Sequence, residues 1–267
     1  MQLKLVLLLQ LVMATAMAQQ VDSIHQLAPR TVADFQKDFY IGEPQVSYSN
    51  KIVWKRALKA PLILTALSLY SFTDNEAFDK HEVKEIRDRV SPSFRHHADN
   101  YLQYAPVAAV YGLNLAGIKG KNDFTNRTML LTKSMLLVAA ITYPLKTITA
   151  VPRPDTGQRN SFPSGHTATA FAAATFMAKE YGHINMWYSI GAYTAATGVG
   201  AMRILNNRHW ITDTLAGAAV GILSTNIAYL THQYKWGHHR KHNASQTIVV
   251  PAYDGQTGMV SIVHVLH

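Results

Sequence analysis

The sequence predicts an all-α fold: a six-helix bundle associated with a membrane, followed by a short C-terminal β-hairpin tail. Three observations carry this. Apolar stretches of helix length recur from Ala57 to Leu230. Within them Gly191, Ala195, Gly198, Gly217 and Gly221 fall at steps of three and four, a spacing that lets helices approach closely. Three short polar islands interrupt the apolar sequence, all between Lys146 and Asp213.

Composition sets the outer bounds. A chain of 267 residues with no linker-like stretch in its middle reads as one domain. It is 48% hydrophobic and only 15% charged, yet its mean hydropathy of −0.02 is low for a dense membrane bundle, so composition leaves soluble and membrane readings open. The net charge of +9 suits an anionic lipid surface or a phosphorylated substrate. Nucleic acid is disfavoured, because the basic residues are scattered between apolar segments with no aromatic-basic motif for base stacking. The absence of cysteine removes disulfides and thiolate metal sites.

Residues 1–18 pair Lys4 with the apolar run Leu5–Met13 and then Ala16-Met17-Ala18, the layout of a cleavable secretory signal peptide. Residues 19–56 form a polar lead-in broken by Pro29, Gly42 and Pro44, expected to be irregular. A helical domain is expected over 57–232. Its first apolar helix spans Ala57–Phe72, short for a full crossing of roughly 20 residues. Phe78, Glu82, Ile86 and Val90 then recur at every fourth position and predict an amphipathic helix ended by Ser91-Pro92. Five more apolar helices follow over Tyr101–Gly117, Thr128–Leu145, Gly165–Ala178, Met186–Ala201 and Thr212–Leu230. Residues 233–267 are a basic, His-rich joint, read as a solvated flank, and then a hairpin pairing Thr247–Val250 with Met259–Val265 around Asp254-Gly255 and Thr257-Gly258.

The islands carry the chemistry. The first runs from Lys146 to Arg153-Pro154, where prolines on both sides stiffen the loop that bears the guanidinium. The second, Pro163-Ser164-Gly165-His166, opens a helix; helix N-termini present free N–H groups to an anion, and Gly165 lets an oxyanion reach the backbone. In the third, Arg203 precedes His209 and Asp213, and the four-residue step puts carboxylate and imidazole on one helix face, so Asp213 can hold one ring nitrogen and free the other to attack. Each island alone has a plain explanation: a lysine at a helix end, a serine N-cap, a surface ion pair. Ten specified residues at fixed local offsets, at roughly 5% usage each, make a chance coincidence of all three on the order of 10⁻⁸.

Together, Lys146-x6-Arg153-Pro154, Pro163-Ser-Gly-His166 and Arg203-x5-His209-x3-Asp213 resemble the three-part signature of the type 2 phosphatidic acid phosphatase (PAP2) superfamily, which also contains vanadium haloperoxidases and bacterial acid phosphatases. The resemblance implies that His209 is a nucleophile forming a phosphohistidine, Asp213 orients it and His166 protonates the leaving alkoxide. It implies that Lys146, Arg153 and Arg203 hold the phosphoryl oxygens, aided by Ser164 and Gly165. Neither metal nor other cofactor is implied, since three cations offset the developing charge. Two departures bear on substrate choice: Met202 stands where the family usually has serine, and only eight residues separate Pro154 from Pro163.

The function so implied is hydrolysis of a phosphomonoester or pyrophosphate, with a lipid-linked substrate of the phosphatidate, isoprenyl diphosphate or lipid A type. A soluble-substrate acid phosphatase, a vanadate-dependent haloperoxidase and a non-catalytic membrane protein are the competing classes. Lys51, Lys55, Arg56 and Lys59, then Lys119, Lys121 and Arg127, then Lys235, Arg240 and Lys241 are expected at the bundle end opposite the islands. The positive-inside rule makes that end cytoplasmic and turns the site outward, to the extracytoplasmic side of a cell envelope. A cleaved signal peptide followed by six spans gives the opposite orientation; the outward-facing site is preferred because export also favours it.

Overall fold

The computed structural model describes residues 50–73, 79–232, 247–253 and 258–264. The expected signal peptide and residues 19–49 of the lead-in lie outside the described residues, as do most of the basic joint and the turn expected between the tail strands.

The described residues contain eight helices rather than six: α1 Asn50–Tyr70, α2 Lys80–Val90, α3 Asp99–Leu102, α4 Ala105–Leu115, α5 Phe124–Thr149, α6 Gly165–Tyr181, α7 Met186–Leu205 and α8 Ile211–Leu230. Residues 50–56 are helical, not irregular, because Lys51 to Ala57 hold no breaker and run directly into the apolar segment. Pro61 lies inside α1 and cannot donate to the carbonyl of Ala57; Asn226 of α8 supplies that bond through its side-chain amide, 2.8 Å away. A proline's missing donor thereby becomes a tie between two helices.

Tyr101–Gly117, read as one helix, is broken after Leu102, with the one-turn α3 before the break and Pro106 in the first turn of α4. The amphipathic α2 buries Val83, Ile86 and Arg87, whereas Glu82 is only half-buried, Val90 is exposed and Phe78 lies outside the described residues. A strict four-residue step drifts by about 40° per turn against a 3.6-residue helix, which carries Glu82 and Val90 off the buried face.

Helix α6 is the centre of the bundle. From Ala168 to Ala178 only Thr169 escapes burial, and α8, α7, α4 and α5 pack around it. Alanines there let α8 come close: a side chain at Gly217 would meet the Ser164 carbonyl oxygen at 2.6 Å, and one at Gly221 would strike the backbone at Ala168 and Ala172. Thr225 adds a bond to the Ala172 carbonyl at 3.2 Å. Of the other small residues singled out in the sequence, Gly191 faces open space and Gly198 makes only an ordinary contact with Leu102. Gly200 takes that role instead, with Thr214 2.8 Å from where its Cβ would lie.

Helix order alternates between two ends. The end of α1, α2, α3, the end of α5, the start of α6, the end of α7 and the start of α8 share one of them, which collects all three islands. At the other end, where the charge pattern placed it, Arg127 is buried. It pairs with Glu180 at 3.3 Å and donates to the Asn122 carbonyl, because the carboxylate of α6 has no water to satisfy it.

The chain splits into two compact units at His232–Gln233. In the second, β1 Thr247–Tyr253 and β2 Gly258–His264 pair antiparallel, with Val250 opposite Ser261.

Candidate active site

His209 sits in the short connection between α7 and α8, two residues before α8 begins. The His209–Asp213 pair is therefore not a one-face helix pair, as the spacing suggested. Asp213 occupies the first turn of α8 and bends back: its Oδ2 accepts from the Trp210 backbone N–H at 2.9 Å and lies 3.4 Å from His209 Nδ1. Both side chains are buried, His209 at 3% exposure and Asp213 at 0%. With Nδ1 turned to the carboxylate, Nε2 is the nitrogen left for chemistry.

The 3.4 Å gap is long for a full N–H···O bond, and a residue outside the motifs fills it. Ser161, fully buried, donates to Asp213 Oδ2 at 2.5 Å and lies 3.3 Å from His209 Nδ1, so one hydroxyl touches both. Its own N–H donates to the Val151 carbonyl, so the serine ties the first island to the third. Ser161→Ala is expected to leave the buried carboxylate one donor short and lower stability by about 1–3 kcal/mol, read as a fall in melting temperature.

Ser164 is the N-cap of α6, buried, its Oγ 3.5 Å from the Thr167 N–H and accepting from Thr167 Oγ1 at 2.9 Å. The plain capping role is thus present, yet accepting those bonds leaves the serine O–H as a donor. Its backbone N–H donates to the Asp213 carbonyl at 2.9 Å, joining the second island to the third. At Gly165 an added Cβ would meet nothing within 4 Å. The Cβ direction there is open among the described residues.

The cations come from three elements. Lys146, in the last turn of α5, donates to the carbonyl of Asn160 at 2.7 Å and reaches that of Ser161 at 3.4 Å. Arg153, in the following loop, donates through Nε to Asn160 Oδ1 at 2.7 Å. Arg203, near the end of α7, is paired through Nη1 with the buried Asp99 of α3 at 2.7 Å, and its buried Nε has no hydrogen-bond partner among the described residues. Burial first, and then the neighbouring Arg203, push the Arg153 guanidinium below its ordinary pKa. Cations that repel one another at short range are a standing attraction for an anion.

Burial also governs His209. It holds the imidazole pKa down to about 4; hydrogen bonding and charge from Asp213 oppose this, and Arg203 and Arg153 add to it. The ring is neutral at physiological pH, as an attacking nitrogen must be.

His166, in the first turn of α6, lies 2.9 Å through Nε2 from Asn100 Oδ1. Trp210 braces the whole connection: its indole N–H donates to the Pro152 carbonyl at 2.8 Å, and its ring meets the edge of His81. Arg208 pairs with Asp155 at 3.0 Å across the same gap. All eight residues singled out in the sequence therefore lie at one end of the bundle, linked by these bonds. Ser161, Asn160, Trp210, Asp99 and Asn100 complete the constellation, and no motif in the sequence marked them.

Residues 127–237 match the model of the PAP2 superfamily. The chain is 39% identical over 177 residues to lipid A 1-phosphatase of Porphyromonas gingivalis, an alignment covering 66% of this chain and 38% of that protein. It is 31% identical over 115 residues to lipid phosphate phosphatase 1 of Arabidopsis thaliana, covering 37% of this chain and 35% of the relative. The chain thus spans little more than a third of the length of these relatives. Among solved structures, a transmembrane PAP2-type phosphatidylglycerolphosphate phosphatase from Bacillus subtilis superposes with a TM-score of 0.44 at 21% identity, covering 68% of this chain and 94% of that one.

Proposed function

We propose that the chain, whose residues 127–237 match the model of the PAP2 superfamily, is a metal-independent phosphatase of a lipid-linked phosphomonoester or pyrophosphate. Its substrate is of the phosphatidate, isoprenyl diphosphate or lipid A type, and turnover passes through a phosphohistidine. The observation that carries this reading is the state of His209: buried, neutral, gripped at Nδ1 by Asp213 and Ser161, and within the field of Arg203 and Arg153.

In the first step His209 Nε2 attacks phosphorus as the bond to the leaving oxygen breaks, and His166 gives that oxygen its proton. Lys146, Arg153 and Arg203 meet the charge gathering on the other oxygens, with the Ser164 hydroxyl and the Gly165 N–H beside them. In the second, water attacks the phosphohistidine, His166 takes the water's proton, and the P–N bond breaks to return neutral imidazole and inorganic phosphate.

A lipid-linked substrate is favoured by the surface of α5. This helix is long and apolar enough to cross a membrane, yet only 22% of its most apolar stretch is buried in the protein, and Leu136, Tyr143 and Ile148 point outward. In water such a stripe would be costly. Against a bilayer it is the expected surface, and Lys146 lies in its last turn, so a substrate entering from the lipid would arrive at the cations. Helix α8 passes the same length and hydropathy test but is 89% buried over that stretch, as the core helix of a soluble protein would be, and this keeps a water-soluble phosphate ester as the second reading. We place the site on the extracytoplasmic face, because Lys55, Arg56 and Lys59 begin α1 at the opposite end. Phosphate release in the presence of a chelator, from lipid-linked and water-soluble esters side by side in detergent, tests the reading; no release from either overturns it.

The depressed pKa of His209 has a signature independent of substrate. The unfolded chain takes up a proton near pH 6.5, whereas the folded chain resists until about pH 4. Stability contributed by this group is complete above pH 6.5, falls as pH drops through that window and levels off below about 4. The His209→Gln chain should lack this component, so its melting temperature should fall less between pH 7 and 4 than that of the parent.

A further inference from the structure

The imidazole that handles the proton is held from outside the signature. Helix α3 and the residues before it belong to none of the three islands and precede the region matched to the family. Yet consecutive residues of α3 reach two motif side chains: Asp99 Oδ2 lies 2.7 Å from Arg203 Nη1, and Asn100 Oδ1 lies 2.9 Å from His166 Nε2. Asp99 is buried and pins the turn against α7, while Asn100, on the solvent side of that turn, has its amide directed at the ring. Its backbone is fixed as well, the N–H donating to the His97 carbonyl and the carbonyl accepting from the Gln103 side chain at 2.9 Å.

We propose that Asn100 is the positioning residue for His166 and sets which ring nitrogen exchanges the proton. This rests on the phosphatase reading above. An amide oxygen can only accept, so a ring nitrogen 2.9 Å away carries its hydrogen. Nε2–H is then fixed in both charge states of the ring, and Nδ1 is the nitrogen that gives a proton to the leaving oxygen and takes one from water. Without that anchor the ring can turn about its side-chain bonds, and both nitrogens compete. The charges around it come from every neighbouring element: Arg203 of α7, Asp99 of α3, Arg153 of the loop and Lys146 of α5. All but Asp99 are cations, so a neutral amide, which adds no charge, holds the ring without drawing the cations away from the phosphate.

The consequence is selective. Proton donation matters for an alkyl phosphate, whose alkoxide leaves poorly, and hardly at all for p-nitrophenyl phosphate, whose phenolate leaves unaided. The parent chain, Asn100→Leu and Asn100→Asp are compared on both esters through kcat/KM, which reports the step in which the leaving group departs. Asn100→Leu should lower kcat/KM for the alkyl ester about 10-fold or more and for the aryl ester less than about 3-fold, against the 10²–10⁴-fold that general acid catalysis contributes. Asn100→Asp keeps the acceptor and adds a negative charge beside the ring. It should restore most of the alkyl-ester rate and move the alkaline limb of the pH profile upward by about one unit, because a carboxylate favours imidazolium. Equal losses on both esters with Asn100→Leu, no loss on either, or an unmoved limb in Asn100→Asp would overturn the inference while leaving the phosphatase reading intact. Failure of the parent chain to release phosphate from either ester overturns both. Asn100 is exposed, so folding is expected to survive the changes, and melting temperatures check it.

Discussion

His209→Ala is expected to cut phosphate release by about 10⁴-fold or more, a loss of the size seen when a nucleophile is removed from a preorganised site. The reasoning is geometric. Ser161 lies 3.3 Å from the ring and donates to Asp213, so it is oriented by the same carboxylate and points its oxygen at Nδ1, not at the cations. Asp213 is fully buried behind His209. Removing the imidazole therefore leaves an anion-binding cradle without a nucleophile, and affinity for inorganic phosphate should survive where turnover does not. Two measurements check this. Rapid acid-free quenching of the parent chain with labelled substrate should trap protein-bound phosphate that is stable to base and lost in acid, as a P–N bond is, and the His209→Ala chain should trap none. Equal turnover by the two chains would remove His209 from the mechanism.

The site was more legible than the scaffold that completes it. Lys146, Arg153, Ser164, His166, Arg203, His209 and Asp213 stood out because the chemistry fixes residue types at short local offsets, and such offsets survive in one dimension. Ser161 and Asn100 did not, since each acts through a partner 48 and 66 residues away and a lone serine or asparagine in a loop carries no local pattern. Helices α6 and α7 were visible as apolar runs flanked by polar islands. The break before α4 was less so, because Pro106 in an apolar run fits both a helix start and a kinked helix. For α2 the fault lay in the period: a step of four was read where the helix turns every 3.6 residues, so Val83 and Arg87 were missed. Arg127 shows the limit of charge counting. It was counted with the basic residues that mark the cytoplasmic end, whereas it is held in the core by Glu180, 53 residues on.

Gly217→Ala is expected to damage the site through the scaffold, and its effect should rank next after the loss of the nucleophile. A methyl group at this position would lie 2.6 Å from the Ser164 carbonyl oxygen, 3.1 Å from Thr167 Cβ and 3.3 Å from the Ala168 nitrogen. Two of these three neighbours are backbone of the turn that opens α6, so no side chain can swing aside, and α6 and α8 must separate locally. Overpacking of this kind costs about 1–3 kcal/mol. The catalytic cost is larger, because the displaced turn carries Ser164, Gly165 and His166 and because the Ser164 N–H to Asp213 bond spans the same contact. A shift of about 1 Å between acid and nucleophile is enough for a loss on the order of 10²-fold. Gly165 offers the internal contrast: its Cβ direction is open, so alanine there should leave melting unchanged while intruding on the space where the phosphate would sit. Melting temperature and kcat measured together separate the two cases. Gly217→Ala should lower both, and retention of full activity at Gly217→Ala would mean that the close approach of α8 to the Ser164 turn is not what sets the geometry of the cradle.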